Sequence, residues 1–201
     1  SGCVVNGDAV LLIAARYMHR YRRLSGPGGK PVVVATVMSN LGLERALGAL
    51  GIGMIRTPVG DKYVLEEMLR TGAVLGGEQS GHIIFLDHAT TGDGLLTALQ
   101  VIEIMLEENA GLDELAAALE VYPQRLVNVR VRSRRPLEEL PAVASEIRAA
   151  ENAFGDAGRI LVRFSGTEPL ARVMVEGPEE RRVEEFAARI AAAIEKELGA
   201  A

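Results

Sequence analysis

Between two stretches of strand character the chain reads Gly76-Gly77-Glu78-Gln79-Ser80-Gly81-His82. A carboxylate, an amide, a hydroxyl and an imidazole fall close together there, where a tight turn needs little beyond one or two glycines. In an extended loop, alternation would point Glu78, Ser80 and His82 to the same side. A carboxylate acceptor beside a hydroxyl that both donates and accepts suits vicinal sugar hydroxyls. The same residues also fit a polar turn with incidental side chains. His82, next to Ile83-Ile84-Phe85, equally fits a satisfied, half-buried histidine.

A second segment, Arg163-Phe164-Ser165-Gly166-Thr167-Glu168-Pro169, offers a guanidinium, two hydroxyls and several backbone N–H groups. A fork-shaped cation with a nest of donors is how proteins hold a phosphate dianion. The lysine and glycine spacing of a P-loop is missing, so a nucleoside triphosphate is not implied. The alternative is a β-turn stabilised by Ser165 and Thr167. Arg172 supplies a second cation from the following strand, or else lies on a solvated face. Five arginines without an acid between Arg125 and Arg135 could attract an anion, or simply protect a strand edge.

These loops need elements to hold them. Residues 8–23 have helical period, with Asp8 as N-cap and Gly26-Pro27-Gly28-Gly29 as the stop. Pro31–Val37 is a continuous apolar run of strand length, the pattern of a strand buried on both faces. A helix over 41–50, a strand over 52–57 and a helix over 61–70 capped by Asp61 follow, then strand, loop and strand over 73–86. A long helix over 93–108 starts at Thr90-Thr91-Gly92-Asp93-Gly94, with Asp93 at the positive end of the dipole. After a short helix (112–119) and the Tyr122-Pro123 break come a strand (126–132), a helix (141–153), strands at 159–164 and 171–176, and a helix from Pro178 to about Leu198. The expected fold is therefore α/β, followed by a small α+β unit of β-α-β-β-α order.

Composition narrows the class. In 201 residues, 48% hydrophobic content provides for a core and excludes a disordered polar chain. A net charge of −5 argues against a dedicated nucleic-acid binder. Cys3 is the one cysteine and there are three histidines, which leaves neither an internal disulfide nor a Cys/His zinc site. No apolar run approaches the roughly 18 residues of a membrane span, and Ser1–Asp8 has no basic n-region or signal-peptide core. The expectation is a soluble cytoplasmic chain without membrane or nucleic-acid partners.

GGEQSGH followed by TTGDGLLTALQ, with RFSGTEPLARVMVEG near the end, resembles the α-D-phosphohexomutase superfamily over nearly the whole chain. Within it, the glutamine in the first loop, the TTGDG helix start and the TVMSN segment are most similar to the bacterial phosphoglucosamine mutases. The resemblance implies a C-terminal half of an intramolecular phosphotransferase that interconverts glucosamine 6-phosphate and glucosamine 1-phosphate through a phosphoserine and Mg²⁺. Residues 1–118 then match the third domain (its opening strand incomplete), 119–125 a linker, and 126–201 the fourth domain. Glu78, Ser80 and His82 match the sugar contacts, with Lys62 as a further candidate. Arg163, Ser165, Gly166 and Thr167 match the phosphate clamp, beside Arg172.

None of the seven serines precedes His-Asn, the setting of the family's phosphoserine, and none of the six aspartates lie two apart as a Mg²⁺ loop requires. Neither a catalytic residue nor a metal ligand is expected within these 201 residues, and activity of the chain alone is not expected. The partner expected is a hexosamine phosphate, with a homodimer left open. The alternatives are a phosphomannomutase or phosphoglucomutase, and a stand-alone, non-catalytic sugar-phosphate module.

Overall fold

A computed structural model describes residues 2, 4–166 and 168–199. The chain divides into two compact units, residues 1–121 and 122–201.

The first unit is built on a four-stranded sheet in the order β2-β1-β3-β4. Strand β1 (Val32–Thr36) runs parallel to β2 (Gly53–Thr57) and to β3 (Leu75–Gly77), and β4 (Ile83–Phe85) is antiparallel to β3. Helix α2 (Leu41–Ala49) connects β1 to β2, and α3 (Asp61–Thr71) connects β2 to β3. The valine run behaves as its pattern predicts. Val33 and Ala35 pack with Leu11, Leu12, Leu43 and Leu47 on one face, whereas Val32 and Val34 pack with Val64 and Met68 of α3 on the other. Each leucine on the first face is essentially wholly buried, which stabilises the unit by about 1.5–3 kcal/mol apiece. Helices α1 (Gly7–Arg20), α4 (Gly94–Glu108) and α5 (Leu112–Ala116) contribute to that same face.

Two expected caps are replaced. Asn6, not Asp8, caps α1: its side chain accepts from the Ala9 amide at 3.1 Å. Asp8 sits inside the first turn, fully buried, and its carboxylate accepts from the Asn40 amide at 2.8 Å instead. Helix α3 has Gly60 at its N-cap, with φ 134°. Asp61 is already helical there, and its carboxylate accepts from the neighbouring Lys62 amide. Asp93 does cap α4, accepting from the amides of Leu95 at 2.9 Å and Leu96 at 3.0 Å. Helix α1 also stops earlier than its period suggests, at Arg20.

The second unit is a three-stranded antiparallel sheet, β5-β7-β6, with β5 at Gln124–Arg130, β6 at Arg159–Phe164 and β7 at Leu170–Glu176. Val129, Val173 and Val175 face α6 (Pro141–Phe154) and α7 (Glu180–Leu198), where Val143, Phe154, Ile190 and Ile194 complete the core. The opposite face carries alternate residues of the same strands. In register across it stand Asn128, Arg172 and Arg163.

Candidate functional site

The polar loop of the first unit joins β3 to β4, and it is a closed turn rather than the extended segment that alternation suggested. The Glu78 amide donates to the His82 carbonyl at 3.0 Å and the Gly81 amide donates to the Glu78 carbonyl at 2.9 Å, with Gly81 at φ 104°. A positive φ of that size favours glycine at this position.

The turn still gathers the three side chains. Ser80 Oγ lies 3.3 Å from His82 Nδ1, and Glu78 Oε2 lies 3.7 Å from the same ring nitrogen. Glu78 is held from a third direction: its Oε1 accepts from the Gly60 amide at 3.0 Å, at the free N–H end of α3. A carboxylate is favourably placed at the positive end of a helix. Ser80 and His82 are exposed, whereas the Glu78 side chain is only 13% exposed. The result is an oriented acceptor with a hydroxyl and an imidazole beside it.

Helix α1 presses on this loop from below. The Gly7 amide donates to the Gln79 carbonyl at 3.0 Å, and the Gln79 side-chain amide lies 3.3 Å from Asp8 Oδ2. Burial pushes the Asp8 carboxyl above its ordinary value, against the lowering effect of its bonds to Asn40, Ser39 and Gln79. The Lys62 ammonium lies 3.7 Å from Glu66 and 5.9 Å from the Tyr63 ring.

In the second unit the candidate loop is the β6–β7 hairpin connection. It closes through the Ser165 amide, which donates to the Leu170 carbonyl at 2.8 Å. The Ser165 hydroxyl is buried and accepts from the Glu168 amide at 3.3 Å. Two of the backbone donors expected to form a nest are thus engaged within the turn. Gly166 is exposed, and a Cβ built there would meet no atom within 4 Å. Thr167, named with this loop from the sequence, lies outside the described residues.

Arg163 and Arg172 are directly paired across β6 and β7. Among the described residues no hydrogen bond or ion pair engages the Arg163 guanidinium. Burial, and then the charge of Arg172, pull its pKa below the ordinary arginine value. Arg172 donates from Nη2 to Glu168 Oε2 at 3.0 Å, while its buried Nε–H has no acceptor among the described residues. Arg134, from the arginine-rich stretch, donates to the Glu168 carbonyl at 3.0 Å.

Sequence reasoning passed over Gly60, Asp8 and Gln79 as supports of the first loop, and Glu168 and Arg134 as partners in the second. Each acts through a residue distant in sequence or across a turn, so local spacing carries no signal for it. Among the described residues no group of three or more His, Cys, Asp or Glu is placed to hold a metal ion, and no helix is long and apolar enough to cross a membrane.

Comparison with known proteins places this geometry in a lineage. The family model described as "Phosphoglucomutase/phosphomannomutase, alpha/beta/alpha domain III" matches residues 6–122, and that for the "Phosphoglucomutase/phosphomannomutase, C-terminal domain" matches residues 126–193. The chain is 65% identical over 199 residues to a phosphoglucosamine mutase of Solibacter usitatus, covering 99% of this chain and 44% of that protein. It is 56% identical to the phosphoglucosamine mutase of Koribacter versatilis, over 98% and 42% of the two chains. It therefore spans less than half the length of these curated relatives.

Among solved structures, the N-acetylphosphoglucosamine mutase of Aspergillus fumigatus in complex with GlcNAc-6P and magnesium superimposes with a TM-score of 0.78. That match has 23% identity and covers 96% of this chain and 47% of that one. A second structure of the Aspergillus fumigatus enzyme, described as an antifungal target, gives a TM-score of 0.81 at 20% identity, over 98% and 44% of the two chains. At such identities the likeness speaks for the fold. The mixed α/β architecture and the family matches agree, and this chain belongs to the phosphoglucomutase/phosphomannomutase family.

Proposed function

We propose that the chain is the substrate-recognition half of a phosphoglucosamine mutase, an isomerase that interconverts glucosamine 6-phosphate and glucosamine 1-phosphate. Residues 1–118 serve as its third domain and 126–201 as its fourth. Each loop has its own group of the substrate to recognise. Glu78 accepts from sugar hydroxyls, Ser80 and His82 complete the hydrogen bonds, and Lys62 adds a mobile cation near the start of α3. Arg163, Arg172, Ser165 and Gly166 receive the non-transferred phosphate, and the sequence resemblance assigns Thr167 to the same clamp.

The observation that carries this reading is Arg163, a partly desolvated guanidinium facing a second arginine and with no counter-ion among the described residues. Two like charges opposed across a hairpin destabilise it unless an anion joins them, and a phosphate dianion matches both forks. The names of the close relatives supply the sugar. Mg²⁺ in the whole enzyme would polarise the transferring phosphoryl group. The described residues do not fit a site for it. The share of this chain is to bind and orient, which lowers the barrier by proximity.

Calorimetric titration of the 201-residue chain with glucosamine 6-phosphate, and separately with inorganic phosphate, tests the proposal. Both are expected to bind, and Arg163→Ala is expected to weaken both at least tenfold. Glu78→Gln is expected to weaken glucosamine 6-phosphate only. An Arg163→Ala chain that binds phosphate as well as the parent refutes the assignment.

A further inference from the structure

The second loop holds one carboxylate that its proposed ligand would have to meet. Glu168 Oε2 is 3.0 Å from Arg172 Nη2, on the strand face where Arg172 is paired in register with Arg163. We propose that Glu168 is an internal latch: in the empty loop its carboxylate occupies the Arg172 fork, and an incoming phosphate must displace it. The inference rests on the phosphate-binding reading of this loop given above.

Three features make the carboxylate displaceable rather than structural. Its side chain is 53% exposed, and that of Arg172 is 32% exposed, so the pair is held in water and is weak. The turn itself is closed by other bonds. The Ser165 amide donates to the Leu170 carbonyl, the Leu170 amide to the Glu168 carbonyl, and the Glu168 amide to Ser165 Oγ. Swinging the carboxylate away therefore leaves the hairpin intact. Finally, the latch is incomplete: it engages one nitrogen of Arg172 and leaves the buried Nε–H without an acceptor among the described residues. Among the described residues, Arg163 has no acceptor at its guanidinium. One carboxylate thus covers a fraction of the donors that a dianion with several oxygens would engage.

A competing internal anion weakens the complex and eases its release. For a clamp that must let go of one phosphate before taking another, a carboxylate returning to Arg172 offsets part of the cost of emptying the site. It also discriminates by charge, because a dianion outcompetes a single carboxylate at two guanidinium groups better than a monoanion does.

The test is titration of the 201-residue chain with inorganic phosphate, followed by amide NMR shifts, for the parent, Glu168→Gln, Glu168→Asp and Arg163→Ala. Glu168→Gln keeps the shape and removes the charge, and is expected to tighten phosphate about three- to tenfold at low salt. Glu168→Asp is expected to stay within about twofold of the parent. In about 0.5 M salt the gain of Glu168→Gln is expected to shrink towards unity, since exposed charges are screened there. A merely structural role for Glu168 would leave a salt-independent difference. Unchanged or weaker binding by Glu168→Gln, while Arg163→Ala abolishes binding, overturns the latch and leaves the phosphate site standing. Failure of parent and Glu168→Gln alike to bind phosphate overturns the site itself, and the latch with it.

Discussion

Gly7→Ala is the substitution on which the geometry of the β3–β4 loop makes its sharpest claim. A Cβ on Gly7 would overlap the Glu78 carbonyl oxygen, and would come within 2.8 Å of the Gly81 amide nitrogen and 3.0 Å of the Gln79 carbonyl oxygen. All three are backbone atoms, so no rotamer change relieves the clash. Forcing an added carbon into a packed site costs about 1–3 kcal/mol. Moving the loop also breaks the bond from the Gly7 amide to the Gln79 carbonyl, worth about 1 kcal/mol. Together these give a loss of about 2–4 kcal/mol. For a unit of 121 residues, at about 4 °C per kcal/mol, the melting temperature should fall by about 8–16 °C.

Gly48→Ala is the matched control. Gly48 lies in α2, exposed, with nothing within 4 Å of a built Cβ. Alanine there should raise stability by about 0.5–1 kcal/mol through helix propensity alone. Circular dichroism melts of the two variants beside the parent decide the matter. A Gly7→Ala chain that melts within a degree of the parent would mean that α1 does not carry the loop as described.

Two pH dependences follow from buried or bonded groups. The Asp8 carboxyl has its pKa raised by burial, so the native state holds its proton more tightly than the unfolded chain, where the value is about 3.9. As pH rises from there through the folded value, the parent should lose stability relative to Asp8→Asn, with a constant difference above that window; urea titrations giving parallel curves would refute it. Tyr17 donates to Glu107 at 2.8 Å, and that bond, with burial and nearby carboxylates, pushes its pKa up to about 12. Between about 10, the unfolded value, and 12 the native state keeps a proton that the unfolded chain has lost, so stability should fall as pH rises. Tyr17→Phe should flatten stability across that range, and phenolate absorbance should lose a tyrosine that titrates at about 12.

How much of this was legible depended on how far each interaction reaches. The valine run of β1 announced a doubly covered strand because its neighbours on both faces are apolar whatever their origin. Asp93 announced a helix start because its acceptor role concerns the next three residues. Asp8 was misread as a cap because its true donor, the Asn40 amide, is 32 residues away. The grouping of Glu78, Ser80 and His82 was visible in their spacing, although a turn rather than strand alternation brings them together. What holds Glu78, the Gly60 amide, comes from the N-terminus of α3 and left no local trace. Arg163 and Arg172 were visible as cations; their direct opposition depends on hairpin register, which a five-residue connection does not fix by composition alone.

The grip of α1 on the loop beyond β3 also bears on the order in which the first unit assembles. The bond between Gly7 and Gln79 and the approach of Gln79 to Asp8 close a segment of about seventy residues. Closing so long a segment carries a large entropic cost before any contact rewards it, and such non-local pairings slow folding. The sheet's local β-α-β crossings can form first, whereas the β3–β4 loop takes its shape only when α1 docks. In native-state hydrogen exchange, the amides of Glu78 and Gly81 should then open together with Gly7 as one cooperative block rather than fray as an ordinary surface turn. The loop's readiness for a ligand and the integrity of its own scaffold would be a single equilibrium.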